Sequence, residues 1–129
     1  MRRLPAPTET ELAILNVLWA RDGATVREVF EALYSDEAAY TTALKLLQVM
    51  HAKGLVSRDE SQRAHVYRAA VSKDFTQRRL LSNLIRGVFD GSPGELVLRA
   101  LGGEQAPSAE ELDQIRDLID RMERERHDR

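Results

Sequence analysis

Cysteine is absent from the 129 residues. That excludes disulfides, thiolate metal sites and cysteine nucleophiles, and it fits a reducing cytoplasm as the expected location. No apolar run is long enough to cross a bilayer. The start, MRRLPAPTETE, follows its two arginines with no apolar stretch, so it does not read as a signal peptide. A large charge of one sign is also missing. Nineteen Lys and Arg stand against 21 Asp and Glu, a net charge of −2, so a nucleic-acid role needs a local basic face. His51, His65 and His127 lack ligand spacing, so neither a metal nor a cofactor is expected. No nucleophile–base pair is visible, and the chain does not read as an enzyme. There is no internal repeat and no low-complexity tract.

What is present is a globular composition, 43% hydrophobic and 31% charged, at a length that suits one domain or a small domain with an appendage. Helix starts are legible. Thr8-Glu9-Thr10-Glu11 is a capping box, in which the threonine hydroxyl accepts from the amide three residues on and the glutamate reaches back. Pro5 and Pro7 keep the preceding chain out of the helix. Leu12, Leu15, Leu18 and Trp19, with Ile14 alongside, then form one apolar face with Trp19 in the core, and Asp22-Gly23 is expected to end the helix. Thr25-Val26-Arg27-Glu28 is a second capping box, opening a short helix with Val29, Phe30 and Leu33 inward. After a polar connection at Ser35–Glu37, a third helix runs from Ala39 or Tyr40 to Lys53. Ala43, Leu46, Leu47 and Met50 form its buried stripe, and Gly54 stops it.

The period then changes. Leu55–Arg58 and Arg63–Arg68 read as two strands of a hairpin around Asp59–Gln62. From Ser72 the pattern is helical again, with Leu80, Leu81, Leu84, Ile85, Val88 and Phe89 on one face. Gly91–Gly94 breaks it, and a short helix follows from Glu95 to Leu101. Gly102, Gly103 and Pro107 form a linker. Ser108–Glu111 is a third capping box, ahead of the stripe Leu112, Ile115, Ile119 and Met122. The charged end, Glu123–Arg129, is expected to fray.

The predicted fold is mainly α with a small β-hairpin wing: a winged helix-turn-helix domain over 1–71 and a helical dimerisation region over 72–129. Three short helices and a wing can close one small core. The remaining 58 or so residues bury too little to stand alone comfortably, and two copies sharing a core resolve this. Leu81, Leu84, Ile85, Val88, Leu112, Ile115, Ile119 and Met122 are the expected dimerisation residues.

In a winged helix the third helix can enter the DNA major groove. Its expected outer face carries Tyr40, Thr41, Thr42, Lys45 and Gln48, with His51 beyond. Thr41 and Thr42 can meet phosphate or a thymine methyl, and Gln48 can pair bidentately with adenine. Between Tyr40 and Arg68 five basic residues, Lys45, Lys53, Arg58, Arg63 and Arg68, face two acids, giving +3 and leaving −5 for the remainder. Arg63, beside the wing tip, can reach phosphate or the minor groove. The expected DNA-binding set is therefore Tyr40, Thr41, Thr42, Lys45, Gln48, Lys53 and Arg63. Bland readings stand beside these: Thr41 and Thr42 as helix-start residues, Lys45 as a solvated lysine, His51 and His65 as ordinary surface histidines. Winged helices also serve as protein–protein modules, which is the alternative function.

Five segments resemble the penicillinase repressor family, the BlaI/MecI/CopY transcriptional regulators. They are TETELAILNVLW at 8–19, TVREVFEAL at 25–33, YTTALKLLQVMHAKGLV at 40–56, RAHVY at 63–67 and SAEELDQIRDLI at 108–119. The Tyr-Thr-Thr start and Lys-Gly-Leu-Val end of the third helix are the most specific. The resemblance implies a dimeric winged-helix repressor on double-stranded DNA with a dyad-symmetric operator. Thr41, Thr42 and Lys45 match the DNA-facing part of the family's recognition helix, and Arg63 matches its basic wing residue. In the beta-lactam branch a membrane-embedded zinc-peptidase sensor triggers cleavage of the tail, so such a sensor, or another protease, is an expected partner. Val49 stands where many members have an arginine. Arg99-Ala100 stands where the beta-lactam repressors have their Asn-Phe bond, so the same protease specificity is not implied. Without cysteine, the cysteine-tail mode of copper sensing is excluded.

Overall fold

The computed structural model describes residues 6–128. The readings made at Pro5 and at Arg129 lie outside these residues. Helix α1 spans Glu9–Ala20, and its capping box forms as the residue types require. The Glu11 amide donates to Thr8 Oγ1 at 3.2 Å, and the Thr8 amide donates to Glu11 Oε1 at 2.9 Å. The expected glycine stop is corrected. Arg21 already leaves the helix in extended backbone, with its amide donating to the Leu18 carbonyl. Gly23, at φ +96°, instead turns the chain onto the sheet, and a Cβ there would lie 2.9 Å from Val66 Cγ1.

That turn produces an element the hydropathy pattern does not announce. Strand β1, Ala24–Thr25, pairs antiparallel with β3, Val66–Ala69, in the register Ala24↔Tyr67 and Thr25↔Val66. Strand β2, Val56–Asp59, pairs with the other edge of β3, so the expected hairpin is a three-stranded sheet of order β1-β3-β2. Both hairpin strands begin later than expected, and Arg63 lies in the loop between them.

Helix α2, Val26–Leu33, starts at its own capping box on Thr25 and Glu28. The Thr25 backbone and side-chain hydrogen bonds hold the Glu28 carboxyl below the usual carboxylate range. The polar connection tightens into a 3-10 turn at Glu37–Ala39, started by Asp36, whose carboxylate accepts from the Ala38 amide. Helix α3 spans Tyr40–Lys53. It closes on Gly54 at φ +85°, with the Gly54 amide donating to the His51 carbonyl and the Leu55 amide to the Met50 carbonyl. This paired closure needs a residue that tolerates the left-handed region, and glycine does so without a Cβ clash.

These elements seal one core from Ile14, Leu15, Leu18, Ala24, Val29, Leu47, Met50, Leu55, Val56 and Tyr67. Ala43 is buried with the α3 stripe, while Leu46 packs at its margin. Trp19 is half-buried against this core, and its indole N–H donates to the Val71 carbonyl at 2.9 Å.

Helix α4 spans Lys73–Val88. Its first turn is held by Ser72, which accepts from the Phe75 amide on its hydroxyl and from Thr76 Oγ1 on its carbonyl. The chain divides into two compact units inside this helix, the first reaching Ser82 and the second starting at Asn83. Helix α5 spans Pro93–Leu101, two residues earlier than the pattern suggests. Ser92 caps it, and proline at the first helical position has no amide left to satisfy. Helix α6 spans Ala109–His127 behind the Ser108/Glu111 capping box. Its charged end is helical to His127. Arg124, Arg126 and His127 in the last turn oppose the negative end of the helix dipole.

Candidate nucleic-acid interface

One side of α3 is committed to the core through Ala43, Leu47 and Met50. With 3.6 residues per turn, the opposite side must carry positions 41, 42, 45, 48 and 49. Thr41, Thr42, Lys45, Gln48 and Val49 are indeed exposed there, and His51 is exposed near the C-terminal end. Among the described residues Lys45 and Arg63 make no ion pair within 4.0 Å. A concavity of about 390 Å³ opens beside this face, bordered by Arg27, Tyr40, Gln48, Arg58, Arg63 and His65. The start of α2, helix α3 and the wing thus share one surface.

Two expected members of the DNA-facing set have other commitments. Tyr40 is only partly exposed. Its ring meets Phe30 edge-on at 5.6 Å, and the Arg27 guanidinium covers it at 4.8 Å. Tyr40 therefore anchors the start of α3 to α2. Lys53 has the stronger tie. Its Nζ donates to Glu11 Oε2 at 2.8 Å, and Glu11 is only 2% exposed. Burial alone would raise the Glu11 pKa, but the Lys53 ammonium and the Thr8 hydrogen bonds outweigh it and hold the carboxyl below its usual range. A buried carboxylate needs its cation, so Lys53, one-third exposed, is held by Glu11 in the free chain.

The wing has its own internal charge pairing. Arg58 Nη2 lies 2.6 Å from Glu60 Oε1. The Tyr67 hydroxyl, and after it Glu60, hold the Arg58 guanidinium charged more firmly than usual. Arg68 lies between Asp22 at 3.6 Å, in the turn before β1, and Asp59 at 3.9 Å on β2, two exposed and weak pairs. Sequence reasoning counted Arg58 and Arg68 as basic residues without separating them from the unpaired Arg63. It also passed over Arg27, whose place in a capping box concealed its position at the rim of the concavity.

A family model described as "Penicillinase repressor" matches residues 7–121. The chain belongs to the penicillinase repressor family. The match runs through both compact units of this repressor-family chain and takes in all five segments that carried the resemblance. Two curated relatives, each named transcriptional regulator BlaI, come from Mycobacterium tuberculosis strains CDC 1551 / Oshkosh and ATCC 25618 / H37Rv. Each is 29% identical over 125 residues, covering 95% of this chain and 89% of the relative. A crystal structure of AbfR from Staphylococcus epidermidis aligns over 95% of this chain and 75% of that one, at 14% identity and a TM-score of 0.40. The fold of this penicillinase repressor relative is a winged helix: mostly helical, with a small antiparallel sheet. No helix among its described residues is long and apolar enough to cross a membrane.

The expected dimerisation residues of this family member fall into two groups. Leu81, Leu84, Val88, Ile119 and Met122 are exposed large apolar residues; Ile85, Leu112 and Ile115 are partly covered. Val97, Leu98, Leu101 and Leu118 are also exposed and lie outside the expected set.

Proposed function

We propose that this chain is a dimeric transcriptional repressor that binds an inverted-repeat operator in double-stranded DNA. The observation that carries the reading is the single exposed face of α3. Thr41, Thr42, Lys45 and Gln48 share it, the unpaired Arg63 stands in the adjoining wing, and a sealed core fixes the helix behind them. Lys45 and Gln48 are donors of the length and type that read base edges, and Thr41 and Thr42 sit where helix-start amides and hydroxyls meet phosphate. Placing two such helices one DNA turn apart, or a multiple of it, requires a second copy. The apolar residues left exposed on α4, α5 and α6 support homodimerisation as the way to provide it.

Release follows from the same arithmetic. Two linked half-site contacts hold far more tightly than one, so cleaving or reshaping the tail frees the operator. A membrane-embedded zinc-peptidase sensor or another protease would do this in the cytoplasm. Arg99-Ala100, exposed on α5, calls for a specificity other than Asn-Phe.

The test is selection of genomic DNA fragments by the full-length protein at two salt concentrations. An enriched inverted repeat is expected. Salt-sensitive retention without a motif would replace operator recognition with a general DNA role. No retention at either salt would leave the winged helix as a protein-binding module.

A further inference from the structure

We infer that Arg27 is a DNA phosphate contact held ready beside the recognition helix, and that Glu37 occupies it in the free protein as a stand-in for that phosphate. The inference rests on the DNA-binding reading above and adds to it a residue, a ligand group and an exchange of partners.

Arg27 lies in the first turn of α2, not on α3 or the wing, yet it borders the same concavity as Gln48 and Arg63. Its guanidinium is not a free-swinging surface group. It sits 4.8 Å from the Tyr40 ring centroid and 5.3 Å from that of Phe30, and those two rings pack edge to face at 5.6 Å. Two rings this close attract the cation and restrict its swing, while half of the side chain stays exposed for a further partner. Among the described residues, Nη1 donates to Glu37 Oε1 at 3.1 Å.

That pair is made for exchange. Both side chains are solvated, Arg27 at 51% and Glu37 at 76% exposure, so it is weak and easily screened. Glu37 stands in the 3-10 turn leading directly into α3, so its carboxylate lies on the side that a DNA backbone crossing the start of α3 would approach. A phosphodiester presents the same anionic oxygens and accepts the same N–H edge. When it replaces Glu37, the guanidinium keeps its aromatic floor and needs no rearrangement. The released carboxylate faces the duplex, which makes Glu37 a brake on binding.

The experiment measures binding of the full-length protein to a mixed-sequence duplex, and to any selected operator, by fluorescence anisotropy across a potassium chloride series. Arg27→Gln keeps a long polar stem over the rings and removes the charge. It should weaken binding about tenfold on both duplexes alike. It should also flatten the plot of log affinity against log salt by about 0.9 for each Arg27–phosphate pair lost. Arg27→Lys should retain the slope. Glu37→Gln should tighten binding about two- to fivefold, and this gain should largely vanish in the Arg27→Gln background. An unchanged slope in Arg27→Gln, with wild type binding normally, overturns this inference and leaves the DNA-binding reading intact. A Glu37→Gln gain of equal size in both backgrounds assigns Glu37 to general repulsion and overturns the exchange. A wild-type protein that binds neither duplex overturns the DNA-binding reading and this inference with it. Thermal unfolding of each variant separates loss of the contact from loss of the fold: a slope change accompanied by a collapsed melting temperature counts against the contact.

Discussion

The two compact units are built from similar helices yet stand in opposite conditions. In the first, residues from α1, α2, α3 and all three strands close over one another, and side chains such as Ile14, Leu47 and Met50 have no exposed surface. In the second, no described residue reaches full burial, and Val88 and Leu98 are 66% and 76% exposed. Local signals do not account for the contrast. The α6 capping box is as complete as those of α1 and α2, and α5 has a serine cap with proline behind it. Good helix ends decide that helices form, and the supply of facing apolar partners decides whether they have a core. The first unit finds those partners in a sheet that returns over its helices; the second contains helices alone.

This comparison can be broken or sharpened by substitution. The largest effect is expected in the sealed unit. Leu47→Ala opens a cavity between α3 and its neighbours and should cost about 2–5 kcal/mol in urea unfolding, enough to unfold much of the first unit. A cost below about 1 kcal/mol would show that this core is looser than its burial implies. Ile119→Asp tests the other side. If a second copy covers the stripe, dimerisation measured by sedimentation should weaken by about 1–2 kcal/mol per protomer, and operator affinity should fall with it. An unchanged dimer would place the interface away from α6.

Next comes the ion pair that links α1 to the end of α3. Glu11→Gln should cost about 1–2 kcal/mol at neutral pH, because Lys53 loses its charged partner. The folded carboxyl titrates below its unfolded value of 4.5, so its contribution is present above that pH and lost as pH falls through the lower, folded value. The variant should therefore have a flatter stability profile between neutral and acid pH, read from melting temperatures. An identical acid profile would remove Glu11 from this role. The smallest effect is assigned to a cap. Ser108→Ala should reduce helix content at the start of α6 at a cost of about 1 kcal/mol, visible by amide hydrogen exchange at 109–112.

Legibility in the sequence followed the range of the interaction. The three capping boxes were readable because donor and acceptor lie three residues apart, and the exposed positions of α3 followed from helical period alone. Strand β1 was not readable, since two residues carry no period and its partner lies some 40 positions away in β3. The commitment of Lys53 was hidden for the same reason: Glu11 is 42 residues distant, and a charge count treats every lysine as available. Tyr40 looked exposed on a helical wheel because a wheel omits Phe30 and Arg27 on the neighbouring helix. Of the surface set, the positions of Thr41, Thr42, Lys45 and Gln48 were legible, while the grouping of Arg27 with Arg63 required the fold.

Trp19 gives the molecule an optical property. It is the sole tryptophan in the chain, and its indole N–H rests on the carbonyl of Val71, two residues before α4 begins. Intrinsic emission excited near the red edge of the protein band therefore originates at one place, where α1 meets the chain leading into α4. A change passing along that strap would alter the polarity around a single fluorophore, so its spectrum can be followed in unlabelled protein while DNA or a protease is added.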